Sequence, residues 1–450
     1  MLYRDFFFTQ GPEMPEFYKA FIWAWGSGGL LGARVFTLIL GFAGIFFAVC
    51  LAQHLAPEGR KGEAALIVFL LLGCNLYHLY YVAIPKTYAL ASMWVMSGFL
   101  VLSYWSKKPI ALIIAGFALA FAAGTRISLG AILCVVGLWL LCSRQWRFLL
   151  WFCIGGFGGL ALVYGPYLCD AGARAGLIAA QQYHAARGGF DLVWAVGSVS
   201  RLVRWYLPVF IVLGLGWGIK VKVKGESEQW NGLNLLLFSF LAVVIVQMLA
   251  PFPYEDYQVP VMGLIAVYAA VNFVRNVNTP PFTFTSHLHL LLVLGLCFAN
   301  SFGSPLLEKW MTNGQDRFWS LKKEKCELAQ LRDVAKRIEA QDPGGKTLLT
   351  QDLYLAIETN RKVPKGLEMG PFAMLTDEEW KKLLTETAPA ECKIAALSGY
   401  AFAIEPPVCK ERSIEKQMEY WTLLKQNYNL VDREEVFGQN ATTLLMLKRK

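Results

Sequence analysis

Residues 30–56 read LLGARVFTLILGFAGIFFAVCLAQHLA, an apolar run whose one full charge, Arg34, stands near its leading end. A helix needs about 20 apolar residues to cross the hydrocarbon core of a bilayer. In lipid only a helix or a closed barrel satisfies its own backbone, so this run predicts a membrane-spanning helix. Nine more apolar runs follow, at 64–82, 87–105, 109–124, 128–142, 147–168, 205–219, 231–250, 258–274 and 286–302. The shorter ones fit a tilted or re-entrant course.

Composition agrees with this pattern. Of 450 residues, 56% are hydrophobic and 17% charged, and the mean hydropathy is +0.42. A soluble domain carries about 25% charged residues. The net charge of +9 does not imply nucleic acid, because the basic residues fall in short loops between apolar runs. Alternate loops hold Arg60 and Lys61, then Lys107 and Lys108, Arg144 and Arg147, Lys220, Lys222 and Lys224, and Arg275. The intervening connections hold few cations, such as Lys86 and Arg126. By the positive-inside rule the basic loops are cytoplasmic. The N-terminal loop, the long loop 169–204, the turn 251–257 and everything after 302 are then extracytoplasmic. An outer N-terminus with no signal peptide leads to the expectation of a first helix upstream of Met1; the alternative is that the tail translocates with the first hairpin.

After residue 302 the character changes. Charge density rises, and KTLLT (346–350), KIAALS (393–398) and TTLLML (442–447) read as short buried strands. Helical stretches at 321–340, 377–386 and 414–428 alternate with them, the second capped by Thr376 and Asp377. The reading is therefore a multispanning α-helical membrane protein of about ten spans (1–302, with a first external loop and juxtamembrane helix at 1–29) and a C-terminal extracytoplasmic α/β domain (303–450).

Seven of ten cysteines lie in or beside apolar runs, where Cys acts as a small hydrophobe. Cys326, Cys392 and Cys409 lie in the tail, where a disulfide is permitted. There is no CxxC or HExxH spacing, no repeat and no low-complexity segment. The glycines at 26–29 and 155–159 fit close helix packing better than a phosphate loop.

The N-terminal residues 1–15, MLYRDFFFTQGPEMP, place Asp5 and Arg4 among aromatics, ahead of Gly11, Pro12 and Pro15. An ionisable group beside a membrane-embedded body points to function. The run Tyr3 to Pro12, with Pro15, the aromatic stretch 17–25, Gly32 and Arg34, resembles the first external loop of the GT-C glycosyltransferases. More narrowly, it is similar to the bacterial branch related to protein O-mannosyltransferases and aminoarabinose transferases. The resemblance extends to YHAAR (183–187), YEDYQVP (254–260), KGLEMG (365–370) and Phe437-Gly438-Gln439, and so covers most of the chain. It implies transfer of a sugar, a hexose or a pentose, from a polyprenyl-phosphate donor to an acceptor hydroxyl on a lipid, glycan or protein. The setting it implies is the outer face of a bacterial inner membrane. The family pattern includes an earlier acidic motif after its first helix, which this sequence does not show.

Such chemistry needs a carboxylate to take the hydroxyl proton and cations or a metal to stabilise the departing lipid phosphate. By resemblance Asp5 is the catalytic carboxylate, orienting the base or holding a divalent ion (Mg, Mn or Zn); its plain alternative is an ion pair with Arg4. Arg126 and Lys86, at outer span ends, are candidate phosphate ligands, or cations snorkelling to the interface. His184 and Arg187 would share a helix face turned toward phosphate or acceptor. Tyr254, Tyr257 and Gln258, with Glu255, are candidates for the donor headgroup, or simply an aromatic interface anchor. Glu368 is a candidate lid residue, or part of a salt bridge within the tail. Other classes compatible with the sequence are a transporter or flippase of lipid-linked sugars, which would show interrupted helices in matching halves, and a non-catalytic membrane scaffold.

Overall fold

A computed structural model of the chain describes residues 2–4, 10–26, 29–105, 108–186, 189–218, 232–250, 253–276, 284–303, 327–405, 410–438 and 442–450. It is mostly helical. Helices α1 (Glu13–Trp25), α2 (Gly29–Leu55), α3 (Lys61–Gly73), α4 (Leu76–Ala83), α5 (Thr87–Trp105), α6 (Pro109–Thr125), α7 (Gly130–Cys142) and α8 (Trp146–Cys169) come first. They are followed by α9 (Ala171–Ala186), α10 (Leu192–Trp205), α11 (Leu207–Gly218), α12 (Gly232–Met248), α13 (Met262–Asn276) and α14 (Phe284–Gly303).

Among the described residues, four helices are long and apolar enough to cross a membrane: α2, α5, α8 and the unit Glu255–Asn276, in which a 3-10 turn runs into α13. Two bent pairs bring the number to six if each is one span: α3 with α4, bent by 69°, and α10 with α11, bent by 80°. Four shorter apolar helices remain. Each of the ten apolar runs thus has a helical counterpart, but length alone qualifies at most six. The two bends have local causes. Cys74 and Asn75 break α3 from α4, and the Asn75 carboxamide caps α4 by accepting from His78 N–H at 3.1 Å. Tyr206 breaks α10 from α11. The two breaks are tied together, since Asn75 Nδ2 donates to Trp205 O at 3.0 Å and His78 Nδ1 lies 3.0 Å from the Tyr206 hydroxyl.

The unit Glu255–Asn276 is the centre of the bundle, 89% of its apolar window being buried, against 28% for α8. Its residues Val259 to Val271 are all buried, so they read as a continuous apolar run rather than as one stripe. At the opposite end from the loops described below, Arg60 forks its guanidinium onto Glu63 (2.9 and 2.7 Å) and donates to Val274 O at 2.6 Å. That fastens α3 to the end of α13. Helices α6 and α8 approach closely through small residues. A Cβ at Gly155 would lie 2.1 Å from Ile113 O, and one at Gly116 2.5 Å from Phe152 O. This is the small-residue packing expected of the glycine cluster.

The C-terminal residues 327–450 form a three-stranded sheet in the order β1 (Ile394–Ser398), β5 (Thr442–Arg449), β4 (Tyr428–Phe437), with both pairings antiparallel. A two-stranded ribbon, β2 (Ile404–Glu405) and β3 (Lys410–Glu411), lies apart from it. Two of the expected strands are therefore present. The stretch 346–350 makes only isolated parallel bridges, Thr347 to Lys362 and Leu349 to Ala395. β4 was not expected: YNLVDREEVF is an edge strand whose register shifts twice, with Asp432 and Glu434 paired to Arg337 of helix Glu327–Gln341 and Arg433 and Glu435 exposed. Helix Glu327–Gln341 and helix Ile414–Asn427 match expectation. The segment expected at 377–386 starts at Asp377 under a Thr376–Glu379 capping box, then loosens into a π turn, Leu383–Thr387. Cys392 is buried and free; Cys326 and Cys409 lie outside the described residues.

The tail is anchored on the start of α2. Leu30 sits in one apolar cluster with Leu331, Val334, Ile338, Leu348 and Leu355. The Glu358 carboxylate accepts from Leu30 N–H at 3.2 Å and from Arg332 Nε at 3.0 Å.

Candidate functional site

Connecting loops and the ends of α6, α8, α9 and α12 line a cavity of about 510 Å³. One wall is cationic and aromatic. Lys86 and Thr87 open α5, Tyr88 follows, Arg126 ends α6, and Tyr257 comes from the turn before α13. Arg126 cannot retreat into the helix, because its backbone is extended and its N–H closes the last turn on Ala122 O at 2.9 Å. Its guanidinium lies 4.5 Å from the Tyr257 ring centre and 5.0 Å from that of Tyr88, and Nη1 donates to Thr87 Oγ1 at 3.3 Å. Two rings and a hydroxyl therefore hold a fixed, half-buried cation at a span end. The cation–π contacts account for its position better than free snorkelling would.

The first loop brings Tyr3, Gln10 and Gly11 to the same cavity, joined by Tyr164, Gln181 and His184. This loop is clamped. A Cβ at Gly11 would lie 2.0 Å from Gly124 O, and a Cβ at Gly176 would lie 1.9 Å from Tyr3 O. Tyr3 is held in the left-handed region, φ 64°, with its hydroxyl donating to Gln10 O. Its ring meets Tyr167 edge-on at 5.3 Å, and Arg4 Nη1 reaches Asp170 at 3.4 Å. Burial pushes the Tyr3 hydroxyl well above the usual phenol range, so it acts as a neutral hydrogen-bonding group. On the adjoining helix α1, burial first and the Glu16 charge second push the Glu13 carboxyl up to about 7.

The structure brings Lys86, Arg126, His184 and Tyr257 to one cavity. It separates the other candidates. Tyr254 is exposed and packs edge-on against Trp194 (5.8 Å) and Tyr257 (5.5 Å) without lining the cavity, so it anchors the turn. Gln258 is fully buried behind that turn. Glu255 pairs with Arg201 at 3.0 Å. Glu368 accepts from Gly366 N–H at 2.7 Å within its own turn, and no described residue of the tail is among the cavity-lining ones. Asp5 and Arg187 lie outside the described residues. The described residues hold no group of three His, Cys, Asp or Glu side chains fit to bind a metal ion, and none of the cavity-lining residues is acidic.

One residue escaped the sequence reading. Asp256 accepts a hydrogen bond from the Tyr88 hydroxyl, and its charge interacts with both Arg126 and Lys86. The signal was present, for Asp256 is a carboxylate at the mouth of an apolar run.

No family model matches the chain, and no curated protein matches it. Among solved structures, the chain is similar to ArnT from Cupriavidus metallidurans. With the crystal structure bound to undecaprenyl phosphate it shares 13% identity and a TM-score of 0.61, over 98% of this chain and 88% of that one. With the apo crystal structure it shares 12% identity and a TM-score of 0.61 over the same shares. At this identity the likeness concerns the fold, and it runs nearly end to end: this chain has the fold of ArnT, a multispanning helical membrane body carrying a C-terminal mixed segment.

Proposed function

We propose that this protein transfers a sugar from a polyprenyl-phosphate donor to an acceptor hydroxyl at the outer face of the membrane. The observation that carries the reading is Arg126, fixed between Tyr88 and Tyr257 at a span end and sharing one cavity with Lys86. A phosphate at headgroup depth needs such cations, because charge left unpaired near hydrocarbon is costly. The shared fold supports the reading, since ArnT is crystallised with a lipid phosphate of this class.

In the proposed reaction the acceptor oxygen attacks the anomeric carbon, and Asp5 takes its proton. The anomeric C–O bond to phosphate breaks, its electron pair passes to the phosphate oxygen, and Arg126 and Lys86 stabilise the charge that develops there. Asp5 is assigned this part because it follows Tyr3 by two residues, and Tyr3, Gln10 and Gly11 all line the cavity. His184 and Gln181 line the same cavity as the cations and are assigned to the acceptor or sugar hydroxyls, and Arg187 to the same role. The finer reading of topology goes with this one: ten spans in a bacterial inner membrane, short ones included, with residues 303–450 outside.

The test is transfer from a radiolabelled polyprenyl-phosphate sugar by the purified chain in lipid. Asp5→Asn is expected to lower turnover by about 10²-fold or more, the scale of lost acid–base assistance. Unchanged turnover with Asn at this position would remove Asp5 from the mechanism. Absence of any transfer by the wild-type chain, across hexose and pentose donors, would count against the activity itself.

A further inference from the structure

We infer that Asp256 is a positioning residue that sets the net charge of the phosphate wall, matching it to the donor and against the spent lipid phosphate. The inference rests on the reading just given. Its observations are geometric. The Tyr88 side chain is buried at 4% exposure and donates its hydroxyl to Asp256 Oδ2, while its ring faces the Arg126 guanidinium at 5.0 Å. The ring of Tyr257, the residue after Asp256, faces the same guanidinium at 4.5 Å. Asp256 therefore grips the inner aromatic of the stack by a charge-assisted hydrogen bond, and through its own backbone carries the second one. Lys86 and Arg126 both attract its carboxylate. Asp256 itself is not among the cavity-lining residues, so it acts through them.

The three groups sum to one positive charge. A polyprenyl-phosphate sugar is a phosphodiester with one negative charge. After transfer the lipid carries a phosphomonoester, whose second ionisation falls near pH 6, so near neutrality it carries almost two. A wall of net +1 pairs with the diester and leaves the monoester overcharged, which favours release of the spent carrier. Without Asp256 the wall would be +2 and would retain the product.

Binding of two lipids to the full-length protein in nanodiscs tests this: a polyprenyl phosphate monoester and its methyl phosphodiester. Asp256→Asn keeps an acceptor for the Tyr88 hydroxyl and deletes the charge. The expected result is monoester binding tighter by about tenfold or more, with a distinctly smaller gain for the diester, since the effect scales with ligand charge. In turnover, product inhibition by the monoester strengthens accordingly. Monoester binding that is unchanged, weaker, or tightened no more than that of the diester overturns the inference. Asp256→Gln provides the same comparison should the Asn variant not fold. Wild-type binding of the monoester that is lost with Arg126→Ala, together with no effect of Asp256→Asn, would sink this inference and leave the proposed function standing. A wild-type protein that binds neither lipid would sink both.

Discussion

Arg126 shows what a single residue can hold. A guanidinium is planar and stacks on aromatic faces, whereas an ammonium is a compact, strongly hydrated charge. Arg126→Lys should therefore keep the charge and lose the fixed position between Tyr88 and Tyr257. We expect kcat/KM for transfer to fall about 10²-fold in Arg126→Ala and about tenfold in Arg126→Lys, within the range for a lost hydrogen bond to a charged group. Equal activity of Lys and Arg at this position would show that the stack is irrelevant. Glu13 supplies a second prediction. Its folded pKa, about 7, lies above the ordinary carboxylate value near 4.3, so the native state binds its proton more tightly than the unfolded chain does. The stability this gives is fully present below the unfolded value and is lost as pH rises through about 7. Glu13→Gln, a permanent mimic of the protonated form, should melt like wild type near pH 4.5 and higher than wild type at pH 8. Parallel melting curves across that window would place Glu13 in water.

At the scale of elements, glycines decide how the walls of the cavity meet. The α6–α8 contact has no room for a methyl group at Gly155, whose Cβ would fall 2.1 Å from Ile113 O, a backbone atom that cannot rotate away. Gly155→Ala should therefore force the helices apart at a cost of about 1–3 kcal/mol, the usual penalty of overpacking. Thermal unfolding in detergent measures it, with Gly165→Ala as a control where nothing lies within 4 Å. Arg126 ends α6 and Tyr164 is on α8, so the same substitution should also reduce transfer. A Gly155→Ala protein as stable as the control would contradict this packing. The bent pairs belong to this scale as well. α4 and α10 owe their direction to Asn75, His78, Trp205 and Tyr206, residues that bond across two breaks far apart in sequence.

For the whole molecule, the proposed reaction turns on orientation, because it needs the cavity to open where a lipid donor and an acceptor can meet. The basic-loop alternation predicts residues 303–450 outside, and labelling tests it. In a background with all ten native cysteines replaced, Lys425→Cys, exposed on helix Ile414–Asn427, should react with a membrane-impermeant maleimide in sealed cells. Lys108→Cys, exposed before α6, should react only after permeabilisation. Labelling of both from the same side would invert or dismantle the topology. The tail itself leans on the membrane body through Leu30 and Glu358 rather than over the cavity. Its part is anchorage at α2.

Membrane character was fully legible in the sequence, because burying backbone in lipid demands long apolar helices, and that demand is written locally in every run from 30–56 onward. Helix positions followed for the same reason, as did the strands KIAALS and TTLLML, whose buried faces are apolar. The cationic wall was half legible: Lys86, Arg126 and Tyr257 stood out as polar groups at span ends. Tertiary structure alone decided the rest. It placed Arg126, at the end of one helix, between rings brought by two others, because cation–π contact depends on distance in space and not along the chain. It also turned Tyr254, Gln258 and Glu368 away from the cavity, made β4 an edge strand despite its charges, and joined Asp256 to Tyr88 across 168 residues. A hydrogen bond of that separation leaves no local mark in sequence, since neither partner's neighbours need differ for it to form.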